Sequence, residues 1–209
     1  MKNNKEQAYY LTCIVLIIDQ IIKNIVKTKL FLNQEIKIIN NFFSILYLKN
    51  TGAAFSILNN QIFILIIISI IIIFFLDRFL STEKNLNKTT ITSIGLILGG
   101  TFGNLIDRII HKGVIDYLSF KIFSYDFPVF NFADITITTG TFILLFSIIK
   151  EEIKNKKKDE KKDEKKSHAW QWKCFVVVYK TNRLNHKSTQ ILQLTEENMC
   201  FYGKKFNFL

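Results

Sequence analysis

The chain has 209 residues, 49% of them hydrophobic, and a formal net charge of +11. Most of the excess of Lys and Arg falls after residue 149 or beside apolar segments, which suits anionic lipid headgroups and argues against nucleic acid as a partner. The three cysteines, Cys13, Cys174 and Cys200, are odd in number and match no metal or redox spacing, which excludes a disulfide framework.

The first apolar run, residues 8–26, is interrupted by Thr12, Asp19, Gln20, Lys23 and Asn24. Those internal polar groups, and the lack of a small-residue cleavage site, predict a retained helix rather than a signal peptide. Asp19 and Lys23 stand at i and i+4 in the favourable order for a helix ion pair, so Asp19 is expected to brace the fold. Residues 36–39 and 42–48 are rich in β-branched and aromatic residues around Asn40-Asn41, and predict short strands at the membrane surface. Asn50-Thr51-Gly52-Ala53-Ala54-Phe55-Ser56 then reads as a turn, in which Asn50 can both donate and accept hydrogen bonds.

Residues 62–76, extended upstream by Ile57 and Leu58, have Ser69 as their one polar member. Residues 91–110 begin apolar and close in Gly99-Gly100-Thr101-Phe102-Gly103-Asn104-Leu105-Ile106-Asp107-Arg108. The Gly99/Gly103 spacing permits close helix packing. Asn104, Asp107 and Arg108 share one helical face, and the charges of Asp107 and Arg108 are expected to pair across helices. A fourth run, residues 127–149, begins with Pro128 and carries several Thr. A crossing takes about 20 mostly apolar residues, so four crossings are expected. Lys2 and Lys5, then Arg78, Lys84 and Lys88, then the Lys run from Lys150 place both termini and the middle loop in the cytoplasm. Residues 30–57 and 109–130 then lie outside.

Asp116 and Asp134 lie at the margins of these apolar segments. A carboxylate near hydrocarbon is costly, so it tends to face a cavity and do chemistry. If the third helix ends and the fourth begins at one membrane face, both reach the same depth. Two close carboxylates do not both ionise easily, so one keeps a proton while the other takes a proton from water. Read singly, each is a helix cap or an interface residue. His111, His168 and His186 are scattered, so no metal site is expected, and no Ser-centred nucleophile motif is present.

Five strings in this order resemble the lipoprotein signal peptidases, the signal peptidase II family of aspartyl peptidases. They are Asp19-Gln20, Asn50 to Phe55, Gly99 to Arg108, Val114-Ile115-Asp116-Tyr117, and Phe127-Pro128-Val129-Phe130-Asn131-Phe132-Ala133-Asp134. The resemblance covers residues 8–150. It implies an all-α membrane protein of four transmembrane helices with a small extracytoplasmic β-cradle and a short outer helix. Asp116 and Asp134 would be the catalytic pair, with Asn50, Asn104, Asp107, Arg108 and Asn131 lining or bracing the site and Asp19 supporting the fold. The implied substrates are diacylglyceryl-modified prolipoproteins cut just before the lipidated Cys. The resemblance also implies no cofactor, inhibition by globomycin-type compounds, and a monomer among the phospholipids of the bacterial cytoplasmic (inner) membrane, its active site near the outer face. Residues 1–153 would form the peptidase domain. Residues 154–166 read as a charged linker and residues 167–209 as an extension without a readable motif. A second reading of the same carboxylates is a small transporter or proton carrier; a third is a non-catalytic assembly protein.

Overall fold

The computed structural model describes residues 2–52, 60–83, 86–123 and 125–184. Four helices, α1 (Lys2–Lys29), α2 (Ile62–Thr82), α3 (Lys88–His111) and α4 (Phe132–Leu184), are accompanied by two pairs of strands. β1 (Glu35–Ile39) and β2 (Phe43–Asn50) follow α1; β3 (Val114–Ile122) and β4 (Tyr125–Asp126) follow α3. Each helix contains a stretch long and apolar enough to cross a membrane, as the sequence predicts. Among the described residues there is no further short helix; residues 53–59, which include most of the motif after Asn50, lie outside the description.

The chain divides into two compact units, Met1–Glu151 and Glu152–Leu209. In the second unit the charged run 154–166 is helical and exposed throughout. The rest of the extension from residue 185, with His186 and Cys200, lies outside the described residues.

In the first unit α3 is the central helix, because glycines let its neighbours approach its backbone. A methyl at Gly95 would lie 2.9 Å from the Ala8 carbonyl of α1, and one at Gly99 would lie 2.6 Å from Val15 Cβ. One at Gly103 would collide with the Asp19 carboxylate. The Gly99/Gly103 spacing read from the sequence is therefore one stripe of the α1–α3 contact. Gly100 and Gly140 do the same between α3 and α4. The core at one end of the bundle is Ala8, Leu80, Ile91, Ile94 and Leu98. At the other end Val26 and Leu30 cluster with Ile115 and Tyr117 of the strand after α3.

The sheet has the order β1-β2-β3-β4 with antiparallel neighbours. β1 and β2 form where the sequence predicts strands, and Asn41 turns the hairpin with a left-handed φ of 57°, a conformation Asn tolerates. β3 corrects the sequence reading, which assigns no strand to residues 109–130 and brings Asp116 to the site as the sequel to a helix end. Lys112, at φ 51° and ψ 46°, ends α3 in the left-handed region, and the chain returns along β2 with Val114 opposite Asn50 and Asp116 opposite Leu48. The partner strand lies more than 60 residues upstream, so the pairing is tertiary rather than local.

Candidate active site

Asp134 is placed by local geometry. Asn131 caps α4: its Oδ1 accepts from the Asp134 N–H at 3.0 Å, and Asp134 Oδ2 accepts from the Asn131 N–H at 3.1 Å. This reciprocal pair is a capping box with Asp in the third helical position, and such caps contribute about 1 kcal/mol. The cap reading of Asp134 and its place in the site are thus compatible, because its second oxygen, Oδ1, accepts from Asn104 Nδ2 of α3 at 2.8 Å.

Asp116 arrives from the sheet. Phe130 bonds to Leu118 in both directions, at 2.8 and 3.1 Å, which lays the approach to α4 alongside β3. Asn131 then reaches Asp116: its Nδ2 donates to Asp116 Oδ1 at 2.7 Å. Asn50, at the end of β2, donates to Asp116 Oδ2 at 2.9 Å. Asn131 therefore touches both carboxylates, one through its side chain and one through its backbone N–H. It also donates to Asn104 Oδ1 at 3.2 Å.

The two carboxyl groups differ in surroundings. Asp116 is 2% exposed, whereas Asp134 is only half-buried. Burial first, and the charge of Asp134 second, raise the Asp116 carboxyl from the usual carboxylate range to about 7. Hydrogen bonds from Asn50 and Asn131 and the charge of Lys23 pull the other way. Neighbouring Tyr117 is also buried, and burial raises its phenol above the usual value. Its oxygen accepts from the Phe132 N–H at 3.2 Å, a further tie at the start of α4.

A second polar cluster lies beside the first. Lys23 is 1% exposed and sits between Asp19 at 2.8 Å and Asp107 at 3.0 Å. The Asp19–Lys23 pair is the one the i, i+4 spacing predicts, and the bond to Asp107 is the cross-helix pairing expected of α3. Lys23 Nζ also donates to Asn104 Oδ1 at 2.9 Å. Gln20 Nε2 reaches Asp19, Asp107 and the Gly103 carbonyl at 3.2–3.3 Å. Arg108 is half-buried, within electrostatic reach of Asp134, Asp116 and Asp107, and its Nη1 bonds the Asn104 carbonyl at 3.4 Å.

All of Asn50, Asn104, Asp107, Arg108, Asn131 and Asp19 thus fall within this one connected region. Sequence reasoning missed Lys23 and Gln20 as members of it. The signal was present in two polar side chains within an apolar run, but their bonds to Asp107 depend on how α1 packs on α3. A cavity of about 450 Å³ lies between α1 and the end of α3, lined by Gln20, Lys23, Asn24, Lys27, Asp107 and His111 among others. Neither Asp116 nor Asp134 lines it. Among the described residues no three of His, Cys, Asp or Glu gather as a metal site requires.

Four membrane-length helices and an acidic, amide-lined region at one end of them belong to a multi-pass membrane enzyme of the aspartic-type peptidase class. Four likenesses bear on the family. The model of the family described as signal peptidase (SPase) II matches residues 11–150. The lipoprotein signal peptidase of Staphylococcus haemolyticus is 34% identical over 152 residues, which span 70% of this chain and 96% of that protein. The lipoprotein signal peptidase of Halothermothrix orenii is 38% identical over 145 residues, 69% of this chain and 97% of that one. A solved structure described as a bacterial membrane enzyme, determined by the in meso method, superposes with a TM-score of 0.66 at 32% identity, covering 70% of this chain and 90% of its own. The chain belongs to the signal peptidase II family. An endopeptidase, rather than a transporter or an assembly protein, is therefore the reading that stands.

Proposed function

We propose that the protein removes signal peptides from diacylglyceryl-modified prolipoproteins, with Asp116 and Asp134 as the catalytic pair. The observation that carries this is Asn131, which bonds Asp116 at 2.7 Å and Asp134 at 3.1 Å and so holds the two carboxyls together. Asp116, raised to about 7, keeps its proton near neutral pH. Asp134, more open to solvent, takes a proton from the attacking water. Hydroxide adds to the scissile carbonyl as Asp116 gives its proton to the carbonyl oxygen. Asp134 then passes its proton to the leaving amine of the lipidated Cys, and Asp116 recovers one as the carbonyl re-forms.

The distribution of Lys and Arg supports cytoplasmic termini, with the site at the outer face of the cytoplasmic membrane. The lipid on the substrate gives a reason for that depth, because its acyl chains stay in the bilayer while the peptide bond meets water. The test is cleavage of a lipidated prolipoprotein peptide by the purified protein in detergent. Asp116→Asn and Asp134→Asn should each lower kcat at least about 1,000-fold while the protein still melts cooperatively. Retained activity in either variant overturns the pair.

A further inference from the structure

The Asp19–Lys23–Asp107 cluster does more than fill the α1–α3 interface. Asp19 Oδ1 accepts from the Ala133 N–H at 3.1 Å, and Ala133 is the residue before Asp134. Asp107 Oδ2 accepts from the Ile115 N–H at 3.1 Å, and Ile115 is the residue before Asp116. Each outer carboxylate of the cluster therefore grips the backbone immediately ahead of one member of the pair. Lys23 is the link between the two grips, at 2.8 Å from Asp19 and 3.0 Å from Asp107.

Lys23 also fixes an amide. Its Nζ donates to Asn104 Oδ1, and so does Asn131 Nδ2. An ammonium has only donors, so it compels the oxygen of Asn104 to face it and the NH₂ to face the opposite way. That NH₂ is the group bonded to Asp134 Oδ1.

We infer that Lys23 is a positioning residue for the reaction: through Asp19 and Asp107 it sets the placement of Asp134 and Asp116, and through Asn104 it presents a donor to Asp134. The inference rests on the catalytic reading of the Asp116–Asp134 pair. Lys23 is bonded to Asp19, Asp107 and Asn104, so beside its charge, which acts on Asp116 through space, its positioning influence passes through two backbone N–H groups and one amide. A small misplacement of reacting groups costs about 100-fold in rate even when it originates away from the chemistry.

The experiment uses the full-length protein in detergent with a lipidated prolipoprotein peptide, measuring kcat, KM and thermal melting for four variants. Lys23→Met keeps the length and apolar stem but removes the link. It should lower kcat about 100-fold with KM within about twofold, because the substrate still binds and only the pair is displaced. A variant harmed merely in stability would instead lose active fraction and recover full kcat per folded molecule. Removing the cation leaves two buried carboxylates uncompensated and can prevent folding, so Asp19→Ala provides a second reading. It leaves Lys23 and Asp107 as a balanced pair but cuts the grip on Ala133, and should lower kcat about 10-fold at unchanged KM. Wild-type kcat in folded Lys23→Met, or in Asp19→Ala, overturns the positioning role. Asp116→Asn and Asp134→Asn measured alongside separate the two ideas: if they are inactive while Lys23→Met is fully active, only the positioning role falls, and if they are active, the pair itself falls.

Discussion

Two pairs of buried or half-buried aspartates lie side by side in this molecule, and they are bridged differently. Asp19 and Asp107 are joined by the ammonium of Lys23. Asp116 and Asp134 are joined by two neutral donors of Asn131, its side-chain amide and its backbone N–H, with Asn50 and Asn104 as flanking donors. A cation between two carboxylates gives each a direct charged partner and ties them into the packing of α1 on α3. An amide offers hydrogen bonds without a compensating charge, so the carboxyls retain their mutual repulsion and one of them can hold a proton near neutral pH. On the proposed mechanism the same residue type braces in one place and transfers protons in the other, and the two places differ in the bridge.

That contrast breaks most directly at its amide. Asn131→Ala removes the side-chain half of the capping box and the donor to Asp116 together, leaving only the backbone N–H on Asp134; kcat should fall about 100-fold in the prolipoprotein peptide assay, with little change in KM. The cationic pair is tested through space rather than charge. A methyl at Gly103 collides with the Asp19 carboxylate, so Gly103→Ala should destabilise the protein by about 1–3 kcal/mol, read as a lower melting temperature in detergent. The smallest effect is expected at Asn50. Its hydrogen bond lowers the Asp116 carboxyl from what burial and Asp134 alone would impose, so Asn50→Ala should raise that carboxyl further. On the proposed mechanism the active form holds the proton on Asp116, so wild-type activity should fall as pH rises through about 7. In Asn50→Ala that alkaline limb should move to higher pH, with kcat below the limb reduced only about threefold. A limb that stays in place would separate Asn50 from the titration of Asp116.

The four crossings were legible in the sequence because a membrane span needs only length and apolar composition, which are local properties. The Asp19–Lys23 pair was legible for the same reason: i, i+4 on a helix needs no tertiary knowledge. β1 and β2 announced themselves through β-branched residues around Asn40-Asn41. β3 did not, although Val114, Asp116, Leu118, Phe120 and Ile122 alternate with Ile115, Tyr117, Ser119 and Lys121. Its Asp, Ser and Lys blur the apolar signal, and its pairing with β2 spans more than 60 residues of chain. The third contact of Lys23 was hidden for a related reason, since it depends on the glycine stripe that draws α3 against α1. The members of the candidate site were visible as residue types in strings; which of them bridge, and which are bridged, became visible only with the packing.

The burial of the sheet is graded across its strands. β1 is exposed at all five positions, pairs with β2 alone, and has an irregular register between Lys37 and Ile39. β3 begins with four buried residues and is bolted at Ile115 by the Asp107 side chain. The free energy of local opening therefore rises steeply from the first strand to the third. β2 spans the gradient, paired with β1 over Phe43 to Leu46 and with β3 as far as Asn50, the residue that holds Asp116. The Asp116 carboxyl thus hangs from the buried, doubly paired end of the sheet, away from the strand expected to open first.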